Sequence, residues 1–161
     1  MGGEKYSWVF TVVTVAMFRL REVREADLNE ILEIEYRCFP DPYPLSLLHR
    51  LMMIHRDTFL VAEVEKRVVG YVIGALRWGN TGHILAIGVS PEHRRQGIGK
   101  AMMAEVIRRL GVKGARLIRL EVRKSNIPAQ MFYHSLGFKK MEEIPYYYED
   151  GETAIAMEME L

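Results

Sequence analysis

His83-Ile-Leu-Ala-Ile-Gly-Val89, then Ser90-Pro91, then Arg94-Arg-Gln-Gly-Ile-Gly-Lys100 is the stretch whose reading decides the fold. The apolar run reads as a strand, and Ser-Pro ends it. Beyond the glycines, Met103, Val106, Ile107 and Leu110 recur at i, i+3, i+4 and i+7, the stripe of an amphipathic helix. A strand, a glycine turn and a helix therefore follow one another directly. Gly97 and Gly99 let the backbone turn tightly and approach a ligand closely. The first amides of the helix are unpaired and carry partial positive charge, and Arg94, Arg95 and Lys100 add full charges around them. Such a turn suits a ligand that bears phosphate.

The surrounding chain supplies the rest of a sheet. Upstream, Gly79-Asn80-Thr81-Gly82 is a hairpin turn leading back to a strand over Val68–Arg77. A tight turn at Lys66-Arg67 joins that strand to one over Thr58–Glu65. Phe18–Val23 alternates as a first strand. Asp27 with Glu30 makes a capping-box-like start for a helix whose apolar face is Leu28, Ile31 and Leu32. Phe39-Pro-Asp-Pro-Tyr-Pro44 cannot stay helical, because prolines remove donors and restrict the residue before them. A second helix is expected over Leu45–His55, and the proline bend between the two helices makes a rim for a cleft. Downstream, Gly111 and Gly114 end the long helix, and Arg116–Arg123 is a dense apolar strand. Asn126 can cap a short helix carrying Ala129, Phe132, Tyr133 and Leu136, closed by Gly137. Lys139–Tyr148 and Thr153–Leu161 read as two last strands around an Asp150-Gly151 turn. The class is α/β, mostly antiparallel, with a β-α-β-α unit in the middle.

The 161 residues suit one domain with its own core, spanning 18–161, preceded by an extension over 1–17. Hydrophobic residues at 49% and charged residues at 27% mark a globular chain. A net charge of +1 argues against nucleic acid or a membrane surface as partner, so the basic turn serves a local ligand. Cys38 is the only cysteine, which excludes an internal disulfide and reads as a small core residue. The five histidines show no metal-ligand spacing, and no metal is expected. The apolar stretch Trp8–Phe18 is too short to span a bilayer and lacks a small-x-small cleavage site. Its alternating Val9, Thr11, Val13 and Val15 suggest an extended leader, and Met17 is a candidate alternative start. The expected location is the cytoplasm. Three Asn and two Gln beside 17 Glu and 15 Arg is a bias of heat-adapted proteins.

Known phosphate motifs discriminate among ligands. A dinucleotide fingerprint would place glycine where Met102 stands. A P-loop would place glycine at Arg94 and Ser or Thr at Ala101. Arg94-x-x-Gly97-x-Gly99 after a Val-Ser-Pro strand end instead resembles the acetyl-coenzyme A signature of the GCN5-related N-acetyltransferase (GNAT) superfamily. Leu120-Glu-Val-Arg123, Ser125-Asn126, Ala129 and Phe132-Tyr-His-Ser-Leu-Gly-Phe138 follow in the same order, so the resemblance spans Phe18 to Leu161. It implies one GNAT-type domain, a twisted mixed sheet of about seven strands flanked by about four helices. It further implies acetyl-coenzyme A as donor. The backbone of Ile87, Gly88 and Val89 would pair with the pantetheine arm. Arg94, Arg95, Gln96, Gly97, Ile98, Gly99 and Lys100 would cradle the pyrophosphate, while Asn126 and Tyr133 would reach the thiol end.

Within the superfamily the chain is most similar to ribosomal-protein-alanine acetyltransferases and archaeal and eukaryotic N-α-acetyltransferases. The similarity lies in Gly82-His83, the Leu-Glu-Val-Arg run, the proline bend, and Tyr147-Tyr148 ahead of Asp150-Gly151-Glu152. It implies transfer of acetyl to a protein α-amine by direct attack in a ternary complex, in a slot flanked by Asp41, Tyr43, Tyr147 and Tyr148. A ribosome or an auxiliary subunit is an implied partner. Relatives often carry Glu-Asn where this chain has Asp41-Pro42 and an acidic residue at Thr153, which bears on the preferred N-terminus. The cofactor strand lacks the glutamate base of histone-type members. A neutral amine is required for attack, and an α-amine of pKa about 8 needs less help than a lysine at about 10.4. Candidate bases are Glu121 and His83, and Tyr133 is the candidate acid for the leaving thiolate. Small-molecule or lysine acetylation, and a non-catalytic acyl-coenzyme A subunit, are the alternatives.

Overall fold

A computed structural model describes residues 18–161; the extension over 1–17, and the extended leader expected there from sequence, lie outside the described residues. Seven strands form one sheet in the order β1-β2-β3-β4-β5-β7-β6. They are β1 (Arg19–Glu22), β2 (Phe59–Val64), β3 (Arg67–Arg77), β4 (Thr81–Val89), β5 (Leu117–Arg123), β6 (Lys139–Ile144) and β7 (Ala154–Glu160). Every neighbouring pair is antiparallel except β4–β5. The helices are α1 (Leu28–Cys38), α2 (Leu45–Ile54), α3 (Ile98–Val112) and α4 (Ile127–Ser135). The expected class, strand number and helix number are all present, and the one parallel pair is the β-α-β unit centred on the glycine turn.

Strand alternation builds two cores. Phe59, Val61, Tyr71 and Ile73 face Ile31, Leu48 and Met52 of α1 and α2. Leu60, Ala62 and Val72 point the other way, against Met102, Val106 and Leu110 of α3 and against Tyr133 and Phe138. With both faces covered, β2 and β3 become nearly continuous apolar runs. Among the described residues, no helix is long and apolar enough to cross a membrane.

Local chemistry moves several boundaries. The β2–β3 turn sits at Glu65-Lys66, both at positive φ, one residue before the expected position. Helix α3 runs through Gly111 to Val112 and is stopped at Gly114. Strand β6 ends at Ile144 instead of Tyr148, because Pro145 offers no ladder donor and Tyr146 turns to φ 55°. The tyrosines Tyr146–Tyr148 therefore belong to a loop. Asn126 caps α4 as expected, its Oδ1 accepting from the Ala129 amide at 3.2 Å.

Asp27 does not cap α1 with Glu30. One turn of 3-10 helix, Glu25–Asp27, precedes α1. The Asp27 carboxylate accepts two hydrogen bonds from Arg21 at 2.8 Å and one from the Arg24 amide at 2.7 Å. Glu30 accepts from Arg67 and from the Val68 amide, each at 3.1 Å. Burial pushes the Asp27 carboxyl up, but Arg21 and the Arg24 amide outweigh it and hold it below the ordinary range. A depressed folded-state pKa stabilises the fold above the unfolded value of about 3.9, and the gain is lost as pH falls through the folded value. Asp27→Ala is expected to cost about 1–2 kcal/mol at pH 7, because a mostly buried arginine loses its bidentate partner and keeps only the Glu63 carboxylate, at 2.7 Å. Urea midpoints measured from pH 7 down to pH 2 should show the gap to wild type closing below about pH 4.

Candidate active site

Strands β4 and β5 pair only at Thr81–Leu117, Gly82–Ile118 and His83–Arg119. Past that point they separate, and Ile84–Val89 faces Leu120–Arg123 across a cleft of about 1170 Å³. The cleft is also lined by Cys38, Phe39, Asp41 and Tyr43 from the end of α1 and its loop, by the glycine turn, and by one side of α4. Its walls are thus the strands and loops that the sequence marks for chemistry.

At the glycine turn, Gly97 adopts φ 83°, ψ 5° and caps α3 without any side-chain acceptor. A Cβ built there would meet nothing within 4 Å. The first amides of α3 thus face open space beside exposed Arg95 and Lys100. Arg94 folds back instead, donating to the Val89 carbonyl at 3.0 Å and to Cys38 Sγ at 3.2 Å. Ile98 is buried against the core beneath the turn, and its side chain supports the turn's backbone from below. Gln96 is exposed and lies outside the cleft lining. His93 lines the cleft, and its Nδ1 is the buried side-chain atom without a hydrogen-bond partner among the described residues. Bare helix amides, two cations and the freed backbone of β4 fit an elongated donor with anionic phosphates and an amide-bearing arm.

Where the strands part, a polar network replaces apolar packing. His83 Nε2 lies 2.7 Å from Glu121 Oε1, and His83 Nδ1 lies 3.2 Å from Arg77 Nη1. Arginine can only donate, so Nδ1 accepts and Nε2–H donates to Glu121. Glu121 Oε2 accepts from Arg119 Nε at 2.9 Å, and the Tyr147 hydroxyl stands 3.4 Å from Oε1. Burial pushes the Glu121 carboxyl up, yet His83 and Arg119 together hold it below the ordinary range. It is an ionised, oriented acceptor on the cleft wall. His83 sits behind it, 7% exposed and outside the lining, with both ring nitrogens engaged.

Tyr133 lines the cleft from α4 and is packed edge-on against Phe138. Burial raises its phenol well above the ordinary value, and among the described residues its hydroxyl has no hydrogen-bond partner. Ile87, Gly88, Val89, Asn126, Asp41 and Tyr148 also line the cleft, whereas Tyr147 borders it through Glu121. Tyr43 donates its hydroxyl to the Leu85 carbonyl at 3.1 Å, and burial pushes its phenol up to about 12. Asp41 is paired with Arg123 at 3.2 Å.

Two residues on this wall carried no role in the sequence reading. Glu35 is 2% exposed, and it accepts from the Tyr71 hydroxyl and from the Tyr43 amide. Burial raises its carboxyl despite both hydrogen bonds. A glutamate four residues after Ile31, on the apolar face of α1, was the available signal. Arg123 ends the Leu-Glu-Val-Arg run, but its three acidic partners come from other loops.

The acetyltransferase (GNAT) family profile matches residues 28–138. The chain is 40% identical to an uncharacterized N-acetyltransferase of Methanocaldococcus jannaschii over 139 residues, 86% of this chain and 88% of the relative. It is 34% identical to an N-alpha-acetyltransferase of Sulfurisphaera tokodaii over 152 residues, 87% of this chain and 91% of the relative. The crystal structure of Ard1 from Thermoplasma volcanium superposes with a TM-score of 0.87 at 27% identity, covering 91% of this chain and 99% of that one. With a splayed β4–β5 cleft, a bare helix start and these relatives, the chain belongs to the acetyltransferase (GNAT) family, as an N-acetyltransferase that draws its acetyl group from acetyl-coenzyme A.

Proposed function

We propose that the acceptor is the α-amine of a protein N-terminus. The observation that carries this reading is the ionised Glu121, held by His83 and Arg119 at the point where β4 and β5 part. The cleft-facing stretch of β4, Ile84–Val89, contains no carboxylate. One weak base suits an amine of pKa about 8, roughly a tenth of which is already neutral at pH 7, better than lysine at about 10.4. Relatives named N-alpha-acetyltransferase support the same acceptor.

Acetyl-coenzyme A supplies an activated thioester. Gly97 and Gly99 would let backbone amides approach its phosphates, Arg95 and Lys100 would add charge, and the strand edge Ile87–Val89 and Asn126 would take the arm. Arg94 holds the turn to the end of β4, and Ile98 seats it on the core. Glu121 accepts, through water, the proton that the attacking nitrogen gives up. His83 and Arg119 orient that carboxylate. The Tyr133 hydroxyl remains protonated at neutral pH and holds a proton for the departing sulfur. Tyr43, Tyr147, Tyr148 and Asp41 wall the acceptor slot, and transfer is direct, without an acyl-enzyme. The reading implies a cytoplasmic protein, with protein N-termini as substrate and a ribosome or an auxiliary subunit as partner.

Thiol release from acetyl-coenzyme A is the test, with N-terminal peptides, internal-lysine peptides and small amines compared at equal concentration. N-terminal peptides should turn over fastest, and their kcat/KM should rise with pH up to about 8, following the acceptor amine. Turnover confined to small amines would overturn the reading, and cofactor binding without turnover on any amine would favour a non-catalytic subunit.

A further inference from the structure

One guanidinium joins the two loops that flank the proposed slot. Arg123, at the end of β5, pairs with Asp41 of the α1–α2 loop at 3.2 Å. It also pairs with Asp150 and Glu152 of the β6–β7 loop, each at 2.8 Å. Its Cζ lies over the Tyr148 ring, 4.1 Å from the ring centre. The main chain that carries the cation is anchored, because Gln130 of α4 donates to the Arg123 carbonyl at 3.1 Å and the Lys124 amide donates to the Thr153 carbonyl at 3.0 Å. Glu152 is fixed from a second side by the Ser125 amide at 2.8 Å.

We propose that Arg123 is the positioning residue of the acceptor slot, a single cation that sets the distance between the α1–α2 loop and the β6–β7 loop. The proposal rests on the slot lying between those loops. Exposed ion pairs taken singly hold little, but here three acids from two loops share one cation whose side chain is only 14% exposed. Without it, Asp41, Asp150 and Glu152 confront one another as like charges, and the two walls move apart. Lysine keeps the charge but has no planar fork to span two loops and stack on Tyr148. The partners of the guanidinium all lie outside the Arg94–Lys100 turn, so the proposal expects donor binding to hold when it is replaced.

The test compares wild type, Arg123→Gln and Arg123→Lys by two readouts. Hydrogen–deuterium exchange with no acceptor present should show residues 39–44 and 145–153 exchanging faster together in Arg123→Gln. Kinetics with whichever amine wild type acetylates best should show acceptor KM raised about 10- to 100-fold, with acetyl-coenzyme A KM unchanged and partial recovery in Arg123→Lys. Loosening of one loop alone, or an unchanged acceptor KM, overturns the proposal. So does an equal loss of affinity for donor and acceptor, which would mark a merely structural residue. A wild-type enzyme that acetylates only small amines would sink the N-terminal reading while leaving the loop-coupling result to stand or fall on exchange.

Discussion

Gly97→Trp should abolish acetyl-coenzyme A binding while leaving the fold intact. At φ 83°, a residue with a Cβ pays the left-handed penalty of about 1–2 kcal/mol, within the stability of about 5–15 kcal/mol typical of a domain. No atom lies within 4 Å of that Cβ, so the indole is not forced into the core. It projects beside the start of α3, which has no side-chain cap and where the proposed cradle would offer its amides to the donor's phosphates. A loss of at least about 100-fold in affinity, roughly 2.7 kcal/mol, is expected by titration calorimetry. Gly97→Ala carries the backbone strain without the bulk and should lose much less. Wild-type affinity in a folded Gly97→Trp protein would remove the phosphate cradle from this turn.

Glu121→Gln should lower kcat by about 100-fold or more, with acetyl-coenzyme A KM unchanged. The substitution keeps the shape but not the charge. Glu121 accepts from His83 on one oxygen and from Arg119 on the other. An amide has one acceptor oxygen and one donor nitrogen, so it must present N–H to one of these two donors. Turning His83 to its other tautomer would relieve the clash but would break the hydrogen bond from Arg77 to Nδ1. The variant therefore loses both the proton acceptor and the arrangement around it. His83→Gln removes only the orienting partner and should cost about tenfold. Because the Glu121 carboxyl is held low, wild-type activity between pH 6 and 8 should follow the acceptor amine and not this group. An unchanged rate in Glu121→Gln would move the base to His83 or to bulk water.

How far the sequence could be read depended on whether the relevant interaction was local. The strand, glycine turn and helix over 83–110 were legible because burial period, turn residues and helix stripe all act within a few positions. The Asn126 cap was legible for the same reason, since cap and amide are three residues apart. Asp27 was misread because two local patterns competed. Its partner Arg21 lies across a strand end, and that ion pair outweighed a capping box with Glu30. Strand β6 was overextended because tyrosines favour strands, while Pro145 quietly removed the donor that the ladder needed.

The site shows the same division. Glycines, basic residues and the Leu-Glu-Val-Arg run pointed from sequence to the proposed donor turn and to one candidate carboxylate, both of which line the cleft. The bond between His83 and Glu121 joins residues 38 positions apart, and the bond between Glu35 and Tyr71 spans 36. No period or spacing reports such distances, because they follow from the sheet order and from where β4 and β5 cease to pair. Composition and periodicity by themselves determined an α/β domain, and the order of motifs from Arg94 to Phe138 carried the resemblance to the N-acetyltransferase family that implies a donor turn at Arg94–Lys100. The tertiary structure alone decided that His83 stands behind Glu121, that Tyr43 is pinned to Leu85, and that Arg123 spans both loops. The physical reason is that turns and helix starts are written in neighbouring residues, whereas charge pairing in a cleft is written in the geometry of strands that part.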